Sequence, residues 1–80
     1  MLRITKVVPL ANHRLRLTLS DESIRERDVR PFLVGPMFEE IRKDPKLFSQ
    51  AGAERGTVVW PGGIDLYPDV LIWDGPPPVT

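Results

Sequence analysis

The chain has 80 residues with eleven basic and eleven acidic side chains, so its formal net charge is zero. This length provides for one small domain, and the charge balance excludes a strongly basic nucleic-acid binder and an acidic disordered tail as descriptions of the whole chain. The chain contains no cysteine and one histidine, which excludes disulfides, a cysteine nucleophile, a cysteine-ligated zinc site and any site that needs two histidines. We therefore expect no enzymatic activity, no metal ion and no cofactor.

The first third of the chain alternates apolar with polar residues and is rich in β-branched residues, which predicts β-strands. Residues 4–8 form the first strand, which Pro9 ends because proline cannot donate to a ladder. A turn in which His13 is solvated leads to a second strand over residues 14–20, with its leucines facing inward. The third strand covers residues 24–29, and the three strands form an antiparallel meander.

After Pro31 the apolar residues recur at helical spacing, which predicts one central helix that packs against the meander. Pro36 suits the first position of this helix, and Asp44 followed by Pro45 is typical of the start of a second short helical piece. The side chains that we expect to be buried by these helices are Val34, Met37, Phe38, Ile41, Leu47 and Phe48.

The last third of the chain predicts a β-hairpin formed by residues 51–54 and 57–60. One helical turn that begins at Pro68 follows, and the proline-rich residues 74–80 are expected to be disordered. The sequence thus predicts a single two-layer α+β domain over residues 1–73. Its parts are a three-stranded antiparallel meander, a central helix, a C-terminal hairpin and a short helical turn.

The sequence shows no targeting or membrane-spanning pattern. The first ten residues are interrupted by Arg3 and Lys6 and lack the apolar core of a signal peptide. No apolar run approaches the roughly 20 residues that cross a bilayer. We therefore expect a cytoplasmic protein that does not contact a membrane.

Charge is unevenly distributed along the chain. Residues 1–30 hold seven basic and four acidic side chains, and residues 31–80 hold four basic and seven acidic ones. This asymmetry suggests a basic patch on the outer face of the meander, which would bind an anionic partner such as a nucleic acid. The four candidate anion-binding residues are Arg14, Arg16, Arg25 and Arg27.

The pairing of the second and third strands decides between this patch and an ordinary solvated face. If Leu19 pairs with Ile24, Arg16 lies opposite Arg27, and the repulsion between them implies an anionic partner. A register shifted by one residue places Arg16 opposite Asp28, so that the face compensates its own charges. We favour the second arrangement because exposed ion pairs are common, and because the first turns acidic side chains toward the leucines.

The segment from residue 60 to residue 69 combines aromatic and acidic side chains. Its two aspartates could serve as a carboxylate pair for acid–base or metal chemistry, but no histidine or third ligand accompanies them. We therefore expect them to stabilise a turn and the start of a short helix. The aromatic side chains belong either to the core or to a surface for a protein partner. The candidate partner-binding residues are Trp60, Asp65, Tyr67 and Asp69.

Short motifs along nearly the whole chain resemble a known family. They include Arg-Asp-Val-Arg-Pro-Phe-Leu at residues 27–33, Asp44-Pro45 followed by Phe48, and Thr-Val-Val-Trp-Pro-Gly-Gly-Ile-Asp-Leu-Tyr-Pro-Asp-Val-Leu at residues 57–71. Their order is similar to that in the small bacterial family catalogued as domain of unknown function number 2442. The departures are small: Asp21-Glu22 replaces a common Asp-Gly, Gly62-Gly63 a usual Asn-Gly, and Ile72 a terminal tyrosine.

The resemblance implies a small α+β domain without an established activity, and it assigns no catalytic residue. Some members are encoded beside a second small protein, in arrangements that resemble toxin–antitoxin modules. Others carry an added helix-turn-helix, for which we expect this chain to be too short. The resemblance therefore favours partner binding over direct reading of DNA.

We thus expect a non-catalytic protein-interaction module, an antitoxin-like member of a two-protein system. It would bind a small protein partner or a second copy of itself. A sheet edge or the segment from residue 60 to residue 69 would form its binding surface. The alternative is a transcription-regulatory domain that contacts nucleic acid through the basic face of the meander.

Overall fold

The fold consists of two three-stranded antiparallel sheets connected by short helices. A computed structural model describes residues 2–73 of the chain. The first sheet, sheet A, has the order β1-β2-β3, and the second, sheet B, has the order β4-β5-β6. This architecture confirms the predicted α+β class; the expectation for residues 74–80 lies outside the described residues.

Sheet A is the predicted meander. Its strands are β1 (Ile4–Leu10), β2 (Arg14–Leu19) and β3 (Ile24–Asp28). The three leucines of β2 are fully buried, as the alternation of the sequence predicts. β1 continues past Pro9, which was expected to end it, because proline is tolerated in the edge strand of a sheet. Thr5 is the extra residue of a β-bulge, since Ile4 pairs with Leu19 and Lys6 pairs with Thr18.

The central helix is shorter than its apolar pattern predicts. Two 3-10 turns, Arg30–Phe32 and Pro36–Phe38, precede α1 (Glu39–Lys43) and α2 (Pro45–Phe48). Val34 is 65% and Met37 63% exposed, so the prediction that both are buried is wrong, whereas Phe38 and Ile41 are buried as expected. The reason is Gly35, whose φ of 89° and ψ of 166° break the helical path before Pro36.

Sheet B and a last helical turn complete the fold. Its strands are β4 (Gly52–Glu54), β5 (Thr57–Trp60) and β6 (Ile64–Asp65), and α3 (Asp69–Ile72) follows them. The buried Thr57 hydroxyl donates to the backbone carbonyl of Leu66, which ties the chain after β6 to β5. A single apolar core lies between the inner face of sheet A, the helices and sheet B. Its central members include Leu15, Leu17, Leu33, Ile41, Val58, Trp60 and Leu71.

The two sheets are joined at the start of β1. The Ile4 N–H donates to the carbonyl of Gly56, in the turn between β4 and β5, at 3.0 Å. Gly56 has a φ of 82°, and a Cβ added there would lie 3.3 Å from the Arg3 Cβ. Glycine is therefore required here both by the backbone conformation and by the close approach of the N-terminal segment.

None of the helices within residues 2–73 is long and apolar enough to cross a membrane.

Candidate functional site

The observed register of β2 and β3 differs from both sequence-based alternatives. Arg16 lies opposite Glu26, not opposite Arg27 or Asp28, and Thr18 lies opposite Ile24. The Arg16 Nη2 and the Glu26 Oε2 are 2.9 Å apart. The outer face of sheet A therefore compensates part of its own charge, although through a pairing that neither predicted register contains.

This register also separates the four arginines of the predicted basic patch. Arg14 and Arg16 lie on the outer face, while Arg25 and Arg27 lie opposite Leu17 and Leu15 and share their face of the sheet. The prediction of one outer patch formed by all four is therefore wrong in its geometry. The physical reason is that side chains alternate between the two faces of a strand, so a shift of the register by one residue moves every side chain to the other face.

Arg27 illustrates how an arginine is accommodated on the leucine face. Its Nε donates to the carbonyl of Leu71 at 3.0 Å, and its Nη2 donates to the carbonyl of Ile72 at 3.5 Å. Both carbonyls belong to α3, a helix whose terminal carbonyls lack partners within the helix. The guanidinium of Arg27 thus caps the end of α3.

Trp60 does not lie on a surface. Its side chain is 1% exposed, its ring packs against those of Phe38 and Phe48, and its Nε1 donates to the Phe48 carbonyl at 3.1 Å. The prediction that Trp60 contacts a partner is therefore corrected: it is a core residue whose only polar atom is satisfied inside the protein. The interpretation of this ring as part of the core, which the sequence left open, agrees with the structure.

The other three candidates from this segment remain at the surface. Tyr67 is 67% exposed, Asp65 is exposed in β6 opposite Val59, and Asp69 lies in the first turn of α3. Hydrogen bonding between Tyr67 and Asp69, together with the negative charge of that carboxylate, raises the pKa of the Tyr67 hydroxyl. Among residues 2–73, no group of three or more histidine or acidic side chains could hold a metal ion. Asp69 thus acts on its tyrosine neighbour.

The backbone of β3 provides a feature that the sequence did not single out. At one end of the β2–β3 ladder the Leu19 N–H donates to the Ser23 carbonyl at 2.8 Å, and at the other end the Val29 N–H donates to the His13 carbonyl at 2.9 Å. Bonded and non-bonded pairs alternate along an antiparallel ladder, so the odd-numbered residues of β3 bond to β2. The backbone groups of Ile24, Glu26 and Asp28 therefore point away from the sheet. We call these outward groups the β3 edge.

The β3 edge is partly covered by side chains of its own strand. The Arg25 Nη1 donates to the Ile24 carbonyl at 3.2 Å, and the Arg27 Nη1 donates to the Glu26 carbonyl at 3.3 Å. Within residues 2–73, the outward N–H groups of Glu26 and Asp28 have no acceptor. Charged side chains over an edge are a common protection against uncontrolled strand pairing. Among the described residues, these two N–H groups thus have the outward orientation of an unpaired sheet edge.

His13 forms a second polar feature, and it is not the solvated turn residue that we expected. Its Nε2 donates to the Arg42 carbonyl at 2.8 Å, and its ring packs edge-on against Phe48. Because a carbonyl only accepts, Nε2 carries the proton and Nδ1 is left as an acceptor, 3.5 Å from the Arg30 Nη2. This half-buried histidine lies at one side of a cleft of about 340 Å³ that Leu10 and Pro45 also line.

Comparison with known proteins places the chain in a family. Residues 4–75 match the family described as Protein of unknown function (DUF2442). The chain belongs to this family. No curated protein and no solved structure matches it. The predicted resemblance is confirmed, and the function of this DUF2442 protein has to be argued from its own geometry.

Proposed function

We propose that this DUF2442 protein is a non-catalytic protein-interaction module, and that the β3 edge is its binding surface. The observation that carries the proposal is the row of outward backbone groups of Ile24, Glu26 and Asp28, with two N–H donors that have no acceptor within residues 2–73. An extended segment of a partner can add to such a row as a fourth strand of sheet A. Backbone hydrogen bonds then supply affinity, and the side chains at alternate positions supply specificity.

The burial of Trp60 supports the edge over the segment from residue 60 to residue 69. Without its largest aromatic side chain, that segment offers Tyr67 as its single exposed ring. Interfaces rely on buried aromatic anchors near their centre, and one exposed tyrosine on a turn provides little of that. The sheet edge is the better supported of the two surfaces.

A non-catalytic role is supported by the state of the one histidine. Its Nε2 is held by the Arg42 carbonyl, and its Nδ1 faces the Arg30 guanidinium rather than a nucleophile or a carboxylate. A general base needs a nucleophile within hydrogen-bonding reach. We propose that the partner is a second small cytoplasmic protein. The antitoxin-like role rests on the gene arrangements that the family resemblance implies.

The nucleic-acid alternative is weakened by the geometry of the arginines. Arg16 is paired with Glu26, and Arg25 and Arg27 lie on the face opposite to Arg14. Phosphate binding depends on several cations on one surface. The outer face of sheet A presents Lys6, Arg14 and Arg16 beside Glu26 and Asp28, which is a mixed surface.

The test is a pull-down of tagged protein from the source lysate, with nuclease, comparing the wild type with Glu26→Pro and Glu26→Ala. Both variants lose the carboxylate, but only proline removes the outward N–H and places a ring on the edge. We expect one small protein to be retained at stoichiometric yield by the wild type and by Glu26→Ala, and to be lost with Glu26→Pro. Retention by Glu26→Pro would contradict the edge, and loss of all binding with nuclease would favour the nucleic-acid alternative.

A further inference from the structure

We infer that the β3 edge selects an extended segment of a different protein in which basic and acidic residues alternate, and that it disfavours a second copy of this chain. This inference rests on the proposed use of the edge and specifies the chemistry of its occupant. The expected sequence of the partner follows from the alternation of the β3 side chains between two faces and from the charge on each face.

The alternation of side chains between the two faces of a strand determines which side chains of an incoming strand meet which residues of β3. In an antiparallel pair, directly opposite residues lie on the same face of the sheet. Since Glu26 and Asp28 carry outward backbone groups, the incoming residues that bond to them lie on the outer face, beside these two carboxylates. The intervening incoming residues lie on the inner face, beside Arg25 and Arg27.

Charge then fixes the chemistry of the incoming residues. On the outer face, Arg14 and Arg16 already flank Asp28 and Glu26 from the β2 side. Basic residues on the other side would place both carboxylates between two rows of cations. On the inner face, an acidic residue opposite Arg25 would meet a guanidinium that donates to the carbonyl of Ile24. Opposite charges across a pair stabilise it, and like charges destabilise it.

Ile24 adds an apolar position at one end of the row. Its side chain is on the outer face and 58% exposed, opposite Thr18. An apolar side chain of the incoming strand would cover it and fix the register. For an antiparallel occupant the favoured order is therefore basic, acidic, basic, acidic and apolar, running from opposite Asp28 to opposite Ile24.

A second copy of the chain cannot supply this pattern. Within residues 2–73, β3 has one edge that is not paired with another strand. Two copies that pair through this edge therefore meet with even-numbered residues opposite even-numbered ones. An antiparallel pair centred on Glu26 places it opposite Glu26 of the second copy, and Arg25 opposite Arg27 of the second copy. Shifting one strand by two residues in one direction places Arg25 opposite Arg25 of the second copy. Shifting it in the other direction places Arg27 opposite Arg27 of the second copy. Each of these registers sets like charges against each other.

The test uses two capped synthetic peptides of identical composition. One has the order Lys-Glu-Lys-Glu-Val, and the other is permuted to Lys-Lys-Val-Glu-Glu. Each is titrated into isotope-labelled protein while the amide resonances are followed by NMR. We expect the alternating peptide to bind about tenfold more tightly than the permuted one, because in the same register permutation breaks two of the four cross-strand charge pairs, at Arg27 and Glu26, and sets a lysine opposite Arg27. We also expect the largest shifts at the amides of Ile24, Glu26 and Asp28.

Charge-neutral variants provide the matched control. The double substitution Glu26→Gln and Asp28→Asn should reduce the preference for the alternating peptide, because the contrast at Glu26 is lost and that at Arg27 remains, while Glu54→Gln, an exposed carboxylate on β4, should leave it unchanged. Equal affinities of the two peptides, shifts centred elsewhere, or no binding of either peptide would overturn the inference. The proposed function is judged separately by the Glu26→Pro pull-down, so the two can fail independently.

The oligomeric state tests the exclusion of a second copy. Sedimentation of the wild type and of Glu26→Pro should give the same mass. A dimer of the wild type that Glu26→Pro dissociates would overturn this part of the inference.

Discussion

The indole N–H of Trp60 donates to the backbone carbonyl of Phe48 at 3.1 Å and so joins β5 to the end of α2 inside the core. The same carbonyl accepts the Ala51 N–H at 3.2 Å, which closes the turn after α2. The rings of Trp60 and Phe48 are 6.0 Å apart, and that of Phe38 stands nearly perpendicular to the indole. One side chain thus joins β5 of sheet B to the end of α2 and to the 3-10 turn that contains Phe38.

Trp60→Ala is therefore expected to unfold the protein rather than to remove a partner contact. Truncation of a buried tryptophan costs about 3–5 kcal/mol, which is of the order of the whole stability of so small a domain. Trp60→Phe should cost less, because most of the ring volume remains. Urea denaturation followed by circular dichroism measures both, with Trp73→Phe at a half-buried position as the control. A folded Trp60→Ala variant of near wild-type stability would contradict this role.

Proline substitutions at neighbouring positions of β3 should have very different effects on stability. Arg25 bonds to β2 through its backbone, so Arg25→Pro removes a ladder bond and is expected to cost about 3 kcal/mol or more. Glu26→Pro removes an N–H that points away from the sheet, and like Glu26→Ala it also removes the ion pair with Arg16. The free energy of unfolding of Glu26→Pro should therefore be lower than that of Glu26→Ala by less than about 1 kcal/mol. Thermal denaturation of Arg25→Pro, Glu26→Pro and Glu26→Ala measures these differences in stability. Equal destabilisation by both prolines would refute the assignment of the bonded positions.

Glu22→Gly is expected to stabilise the protein. Glu22 has a φ of 71°, a conformation that costs a residue with a Cβ about 1 kcal/mol or more, while the added freedom of glycine in the unfolded chain offsets part of the gain. We expect a net increase of roughly 0.5 kcal/mol in the free energy of unfolding. Glu22→Ala keeps the Cβ and should show no such increase. If alanine matched glycine, removal of the charge rather than backbone strain would be the cause.

The hydroxyl of Tyr67 should titrate above its usual range. Asp69 raises its pKa, so the contribution of this pair to stability is present below the unfolded-state pKa of about 10 and is lost as pH rises through the folded-state pKa. The chain contains one tyrosine, so its phenolate absorbance reports on this group alone. Asp69→Asn should lower the pKa of Tyr67, and Asp65→Asn should leave it unchanged. A shift of equal size with Asp65→Asn would assign the effect to general surface charge.

The register of sheet A shows where prediction from sequence succeeds and where it stops. The alternating leucines of β2 identify its buried face, because that pattern fits only a half-buried strand. The partner strand is dominated by charged residues and carries little apolar pattern to fix the pairing. The turn between them is a three-residue loop over residues 20–22, in which Glu22 takes the left-handed conformation. Glycine or asparagine usually occupies that position, so a glutamate there gives no signal in the sequence that the loop has three residues.

The candidate site was hidden from sequence for a related reason. The direction in which a backbone N–H points depends on the register, so the outward row of β3 could not be identified before the loop was known. His13 is more buried than its place in a turn indicates, because the Arg42 carbonyl that it binds is distant in the chain. The sequence left Trp60 open between core and surface, because its partner Phe48 is not adjacent to it in the chain either. By contrast, the start of α2 followed directly from Asp44, whose side chain accepts the Lys46 N–H.

The bond between Ile4 and Gly56 has a consequence for synthesis on the ribosome. The strands of sheet A emerge first, while Ile41, Val58 and Leu71, which belong to the same core as their leucines, emerge later. The Ile4 N–H has no acceptor until Gly56, in the last third of the chain, has been synthesised. During that interval the meander is an incomplete sheet with an apolar face, a state prone to pairing with its neighbours on the same messenger RNA. A β3 strand that repels its own copies opposes that association at the stage when the nascent chain is least protected.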